Sequence, residues 1–225
     1  KTFDRDLTDI FSVQDEIAEA VATALRKNLL GNDAASGAAS STTTRDFQAY
    51  NAYLLGLSFF HKLNQQDWSR AVEQFEIAID RDPDMALAWA WLSMTISEQT
   101  GFGTEFEAGF ERARAAAEKA LQLDPNLADA HLALANVQIG YDWDWDGAEA
   151  SLRRAFELRP GDPDIIAEIA LLESIRGDDA EALRQVEQAL PHDPLNVALG
   201  RLHIGVLART GRLDEALAKG LFLAN

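Results

Sequence analysis

The sequence contains no cysteine, which excludes disulfide bonds, cysteine-ligated zinc and thiol catalysis. Cationic residues are also scarce, with 20 Lys and Arg against 37 Asp and Glu, and the formal net charge is -17. A surface of this charge repels phosphate backbones and anionic lipid, so we expect no direct nucleic-acid binding and no membrane binding. No run of 18 apolar residues and no basic-then-apolar leader occurs. We therefore predict no membrane span and no signal peptide, and expect a cytoplasmic protein.

Sequence signatures of catalysis and of metal binding are missing as well. The four histidines never pair at metal-ligand spacing; they are His61, His131, His192 and His203. No G-x-S-x-G, phosphate loop or H-E-x-x-H motif occurs. Glu and Asp are plentiful, but abundance alone does not identify a general acid. We predict no catalytic residue, no metal site and no cofactor.

One acidic stretch imitates the start of a calcium-binding loop. Four residues match the D-x-D-x-D-G opening of an EF-hand: Asp142, Asp144, Asp146 and Gly147. The twelfth position must supply a bidentate acid, and here it is Arg153, a cation. We interpret the acids as helix caps and turn residues, with Trp143 and Trp145 packing between helices.

What the sequence does contain is a repeat. Four prolines, each preceded by Asp or Arg, close a helix at separations of 42, 35 and 34 residues: Pro83, Pro125, Pro160 and Pro194. Alanine occupies one position of the second helix in all five units: Ala71, Ala113, Ala148, Ala182 and Ala216. A bulky side chain where two helices cross would hold their backbones apart. These alanines therefore predict the points at which paired helices touch.

Turn residues support the same register. Three acids fall just before the second helix of their unit, where a side-chain oxygen can cap free N–H groups: Asp67, Asp144 and Asp178. Gly177 and Gly211 precede that helix by a common offset. The second unit carries eight extra residues around positions 101–109, which predict a protruding loop or a lengthened helix pair.

The segment before the repeats has a different character. An apolar residue recurs at every fourth position of a predicted helix from Ser12 to Leu30, and residues 33–44 are small and polar. Because the chain opens on Lys1 in mid-pattern, we interpret it as a fragment of a longer protein. The predicted organisation is a terminal helix of an upstream domain at 1–31, a flexible linker at 32–46, and a repeat domain of four full repeats and a truncated fifth at 47–225.

From Phe47 onward, the chain resembles tetratricopeptide repeats. That family combines a period near 34 with Leu-Gly and an aromatic on the first helix, Ala and an aromatic on the second, and a closing Pro. The first repeat carries these residues at Leu55, Gly56, Phe59, Ala71, Phe75, Ala78 and Pro83. The resemblance implies an all-α fold, a right-handed superhelix or α-solenoid of helix-turn-helix repeats.

A narrower resemblance rests on FDRDLTDIFSVQDEIAEAVATAL (Phe3 to Leu25) and YDWDWDGAEASLRRAFELRP (Tyr141 to Pro160). In this order the two stretches resemble the C-terminal part of bacterial signalling proteins. Those proteins begin with a class III adenylate/guanylate cyclase or a winged-helix domain, followed by a TolB-like domain and then repeats. The likeness implies that 1–31 ends a TolB-like domain. No cyclase or DNA-binding residues lie in this chain.

The tetratricopeptide register also implies a binding groove, because the first helix of each repeat lines the concave surface. Its candidate residues are Tyr50, Tyr53, Leu57, Phe60, Leu87, Met94, Leu132 and Asn136. The acidic neighbours Glu98, Asp129 and Asp164 favour a protein or peptide ligand with Lys or Arg beside its apolar residues. The Lys/Asn/Arg carboxylate clamp of chaperone-binding relatives is absent, since Tyr53 and Leu57 occupy the matching positions. Packing between repeats explains part of this stripe equally well.

Two functions remain open on these grounds. The first is a non-catalytic protein-protein interaction module, the sensory or regulatory part of a bacterial signalling protein. The alternative is a homo-oligomerisation scaffold that pairs attached catalytic or DNA-binding domains. In the first reading, the segment from Ser12 to Leu30 can itself fill the groove and be displaced by a partner. No constellation of residues supports an enzyme.

Overall fold

The structure, a computed structural model, describes residues 44, 46–101 and 106–223, with side chains up to 221. These residues form ten α-helices and one π-helical turn, and no strand occurs among them. The helices are α1 (Phe47–Phe60), α2 (Gln65–Arg81), α3 (Ala86–Gly101), α4 (Phe106–Leu123), α5 (Ala128–Val137), α6 (Trp145–Leu158), α7 (Pro163–Ile175), α8 (Asp179–Ala189), α9 (Val197–Arg209) and α10 (Leu213–Leu223); the π-helical turn is Gln138–Asp142.

Successive helices pair, and the pairs stack in chain order. Each first helix packs against the second helix of its own pair, and each second helix packs against the first helix of the next pair. The first helices of neighbouring pairs also touch one another. The predicted all-α solenoid of helix-turn-helix repeats is therefore confirmed.

The predicted crossing alanines lie at the closest contacts of the paired helices. Ala71, Ala113, Ala148 and Ala182 are all fully buried, and Ala216 is nearly so. On the facing helix of the first pair, a Cβ atom added to Gly56 would lie 2.6 Å from the ring of Phe75. Small residues on both sides are thus what allows an aromatic ring to fit between α1 and α2.

The predicted helix caps are right in two turns and wrong in one. Asp144 accepts a hydrogen bond from the backbone N–H of Gly147, and Asp178 accepts one from Glu181, both at 3.0 Å. Asp67 does not cap α2. That role belongs to Asn64, whose Oδ1 accepts from the N–H of Asp67 at 3.0 Å. The helix α2 begins six residues before Ala71, whereas α6 begins three residues before Ala148. A start placed at the same distance from each alanine is therefore too late in the first repeat.

Two further expectations concern inserted and aromatic residues. The extra residues of the second repeat lengthen its helices, since α3 ends at Gly101 and α4 begins at Phe106. The expectation that Trp143 and Trp145 pack between helices is wrong, because 73% of Trp143 and 38% of Trp145 are exposed. Trp143 lies in the turn itself, between the π-helical turn and α6.

Polar side chains tie neighbouring repeats together. Arg159 donates to Asp129 at 2.8 Å, and Arg209 donates to Asp179 at 3.0 Å; each pair is 30 residues apart. Arg112 similarly bonds Glu76, 36 residues away. Most of these bridges are solvent-exposed, where an ion pair contributes little. These bridges contribute more to the alignment of one repeat on the next than to the free energy of unfolding.

The predicted N-terminal helix at 1–31 and most of the linker lie outside the described residues, so the domain boundaries stay a prediction. By their internal contacts, the described residues belong to a unit that runs from 41 to 225. None of the helices described is long and apolar enough to cross a membrane.

We predict that Ala148→Leu lowers the free energy of unfolding by about 1–3 kcal/mol, because a closely packed crossing cannot take a larger side chain without strain. Urea unfolding measures the change. Ala150→Leu is the matched control, since Ala150 lies on the same helix and is exposed. Equal stability of the two variants would contradict the close-contact role of the alanines.

Candidate functional site

The predicted groove residues divide into a buried group and an accessible group. Only 7% of Tyr53 and 4% each of Met94 and Leu132 are exposed. Tyr50 is 41% exposed. The remaining four are partly exposed: Leu57, Phe60, Leu87 and Asn136. A partner can therefore contact five of the eight residues without rearrangement of the stack.

The three buried residues belong to the hydrophobic core. The ring centroid of Tyr53 lies 6.0 Å from that of Phe75, and burial raises the pKa of the Tyr53 hydroxyl far above its ordinary value. Met94 and Leu132 join one core cluster with Ala117 of α4. These side chains hold adjacent repeats together. The packing interpretation of the stripe accounts for them.

The accessible residues form an aromatic surface around the first two repeats. Phe60 contacts Trp91 edge to face with ring centroids 5.2 Å apart, and His61 contacts the same indole at 6.1 Å. Tyr50 and Tyr53 are 6.0 Å apart at the other end of α1. Because these rings sit on packed helices, they lose little conformational freedom when a partner binds.

Two polar atoms on the groove face have no hydrogen-bond partner. They are Oδ1 of Asn136 on α5 and Oγ of Ser97 on α3, both buried. An unpaired buried acceptor costs free energy that a donor from a ligand would recover. Because both atoms are buried, a bound chain reaches neither of them without a shift of the side chains that cover them.

Of the three acids predicted to attract a basic partner, two are engaged within the protein. Asp129 accepts from Arg159 at 2.8 Å, and Asp164 accepts from Asn196 at 2.8 Å. Glu98 is different: burial raises the pKa of its carboxyl group, and Arg201 opposes this only in part. The electrostatic attraction of the groove therefore depends less on Asp129 than its sequence position indicated.

Glu168 on α7 is an acid near Glu98 and Asp164 that the sequence analysis missed. Burial and the charges of Glu98 and Asp164 raise its pKa to about 7, with Arg201 acting in the opposite direction. In the repeat register Glu168 corresponds to Trp91 of the second repeat and Ala133 of the third. A charged residue in an otherwise apolar column was the signal that would have identified it.

The EF-hand-like acids have other roles in the structure. Asp142 pairs with Arg114, Asp146 pairs with Arg176 at 3.0 Å, and Asp144 caps α6. In the part of the chain that the structure describes, no cluster of three or more His, Asp or Glu side chains could hold a metal ion.

We predict that the double variant Tyr53→Ala with Met94→Ala is destabilised by on the order of 5 kcal/mol, since each substitution leaves a cavity in a closely packed core. Thermal and urea unfolding measure the loss. Tyr50→Ala is the matched control and should cost much less, because 41% of Tyr50 is exposed and its loss leaves no cavity in the core. A double variant as stable as the wild type would contradict the core role of Tyr53 and Met94 and would favour a role in binding.

The raised pKa of Glu168 predicts a pH dependence of stability. Ionisation is opposed in the folded state only, so wild-type stability falls as the pH rises from the ordinary value of 4.5 towards 7. Glu168→Gln removes this loss, and we expect it to melt about 2–4 °C above the wild type at pH 8 with little difference at pH 5. Glu73→Gln, at an exposed site on α2, is the control. A difference that does not change with pH would contradict the assignment.

No protein-family model and no curated protein matches the sequence. Solved structures do resemble it. PilF of Pseudomonas aeruginosa has a TM-score of 0.54 at 18% identity, over 80% of this chain and 77% of that one. The human IFIT1 dimer with m7Gppp-AAAA has a TM-score of 0.62 at 17% identity, over 78% of this chain and 41% of that one.

A thermophilic TPR protein of Thermus thermophilus, TTC0263, is 22% identical over 71% of this chain and 99% of its own length, with a TM-score of 0.47. At these identities the likeness bears on the fold alone. The five stacked helix pairs of the described residues and the buried crossing alanines agree with the likeness to PilF and IFIT1. The chain has the tetratricopeptide-repeat fold.

Proposed function

We propose that the chain is a non-catalytic protein-protein interaction module whose concave face binds an apolar helix or extended segment of another protein. The observation that carries this proposal is the accessible set Tyr50, Leu57, Phe60 and Leu87, which presents aromatic and aliphatic side chains on rigid helices. Tyrosine is among the residues that most often dominate affinity in protein interfaces, and the neighbouring apolar side chains exclude water around it.

Polar groups around that surface specify the chemistry of the segment. The polar contribution comes from the acids near α7, since the unpaired Oδ1 of Asn136 is buried below the surface. Glu98 and Glu168 favour a Lys or Arg beside the apolar residues of the ligand, because a cation would relieve the repulsion between the two carboxylates. Binding should accordingly weaken as salt is added.

The biological setting belongs to the same proposal and rests on the sequence. We infer a regulatory part of a cytoplasmic bacterial signalling protein with a cyclase or winged-helix output domain. The segment from Ser12 to Leu30, which lies outside the described residues, is a candidate internal ligand of the groove. The IFIT1 structure contains m7Gppp-AAAA, but a net charge of -17 disfavours a phosphate-rich ligand for this chain.

The groove proposal predicts a definite outcome for peptide selection. A random peptide library displayed on phage should yield sequences that combine apolar residues with Lys or Arg when selected on the wild-type chain. Tyr50→Ala with Leu87→Ala should weaken the selected peptides at least about ten-fold, a loss of about 1.4 kcal/mol. Because Leu87 also packs against the core, binding is measured at a temperature at which the double variant is folded. Leu217→Ala, at an exposed site on α10, should bind as the wild type does. Selected peptides that bind the double variant unchanged would exclude the groove.

One observation favours the scaffold as a second candidate function. Helix α10 exposes three leucines at successive turns, Leu213, Leu217 and Leu221, each by more than 60%. Position 217 corresponds to Leu183 of α8, which packs in the core cluster that α8 shares with α9. Light scattering on the ligand-free chain separates the two functions: a stable dimer that Leu217→Lys dissociates would favour the scaffold.

A further inference from the structure

The turn between the two helices of a repeat requires a left-handed backbone at one position. In the four such turns that the structure describes, the residue two places before the second helix has a positive φ: 55° at Leu63, 57° at Trp143, 94° at Gly177 and 82° at Gly211. Glycine adopts this conformation without strain, whereas a bulky side chain does not. Two turns use glycine, and two carry a side chain that is strained there.

The two strained residues differ in what their side chains gain. Leu63 is partly buried in its turn, so packing offsets part of its backbone strain. Trp143 gains almost nothing of this kind, since 73% of it is exposed. A glycine would satisfy the fold better at position 143. A strained backbone that carries an exposed indole points to a role for that side chain outside the fold.

The residues before Trp143 form a π-helical turn and a cluster of packed rings. The turn Gln138–Asp142 is π-helical, and the Trp143 N–H closes it by donating to the carbonyl of Gln138. Tyr141 stacks on Phe110 with ring centroids 5.4 Å apart and planes 7° apart, and Phe106 contacts both rings. π-helical turns of this kind occur frequently at functional sites.

The charged residues next to Trp143 in the sequence are acidic. Asp142, Asp144 and Asp146 alternate with the two tryptophans, and the carboxylates of Glu107 and Glu111 contribute to the raised pKa of Tyr141. Arg114 and Arg176 compensate for Asp142 and Asp146 only. The N-terminus of α6 does not attract an anion here, because the carboxylate of Asp144 already accepts from it.

We propose that Trp143 is the anchor of a second protein-binding surface, which holds an arginine or lysine side chain of a partner segment against the indole face. Tryptophan is the side chain on which cations stack best, and the surrounding carboxylates select against an anionic partner. The surface comprises Trp143, Trp145, Tyr141 and the three aspartates, and none of these residues belongs to the proposed groove set. It therefore stands whether or not the groove binds a ligand.

The test uses a variant for which the proposal predicts a higher melting temperature and a weaker affinity for the peptide. Trp143→Gly should raise the melting temperature by about 2–4 °C, because it removes the strain at the turn. It should also weaken binding of a short peptide of alternating arginine and glycine at least about ten-fold. Binding is followed through the indole N–H signals of the five tryptophans in ¹⁵N-labelled protein, where the Trp143 signal should shift most in the wild type.

Matched controls separate the side chain from the backbone. Trp143→Asn also tolerates the left-handed conformation and should lose the peptide as Trp143→Gly does. Leu63→Gly makes the same backbone change in the first repeat and should leave peptide affinity unchanged. A peptide of alternating glutamate and glycine should shift no indole signal.

Three results would overturn the proposal. The first is wild-type affinity of Trp143→Gly for the arginine peptide. The second is a lowered melting temperature of Trp143→Gly and Trp143→Asn, which would make the indole a structural residue. The third is a dimer that depends on Trp143 in light scattering, which would make a second copy of the chain the occupant of this surface.

Discussion

The close approach of two helices at a small side chain is the contact on which the rest of this structure depends. An alanine on the second helix of each pair is buried against the first, and in the first pair Gly56 completes the contact by admitting the ring of Phe75. A helix pair built this way buries only one side of each helix and needs a neighbour to cover the other. Stacking supplies that neighbour, and it leaves Tyr50, Leu57 and Phe60 of α1 at least partly accessible. The groove is therefore a consequence of the packing rule, and its chemistry is decided by residues that the rule leaves unspecified.

Within the groove, the same columns of the repeat change from apolar to charged along the chain. The column of Tyr50 and Leu87 becomes Asp129 and Asp164 in the next two repeats, and the column of Trp91 becomes Glu168. Packing alone does not explain this change, since a half-buried glutamate facing two other acids opposes its own ionisation. The N-terminal half of the groove thus suits apolar contacts and the C-terminal half suits a cation. A bound segment would have a preferred direction, with its apolar residues on α1 and α3 and its basic residue near α7.

Sequence periodicity predicted the fold well because the solenoid is specified locally. Crossing alanines, closing prolines and turn glycines each act within one repeat, so their spacing is enough to place them. The groove was harder to predict, because the exposure of a side chain depends on the repeats on either side. Tyr53, Met94 and Leu132 lie in the correct register, yet neighbouring helices bury them. The cap of α2 was misplaced for a related reason, since Asn64 begins that helix after an insertion that changes the local count. Glu168 was missed because its charge is unusual only when it is compared with Trp91 and Ala133, which occupy the same position in the preceding repeats.

Turns give the clearest separation between what the fold requires and what it tolerates. The backbone between paired helices must turn through a left-handed residue, and glycine at positions 177 and 211 meets that requirement without strain. At Leu63 the cost is offset by partial burial, so the fold itself explains the side chain. At Trp143 the strain, the exposure and the π-helical turn before it all oppose stability. A residue that the fold would replace, which follows a cluster of packed rings and alternates with aspartates in the sequence, is where the structure departs from its own repeat. Such a departure marks a surface shaped by something other than folding.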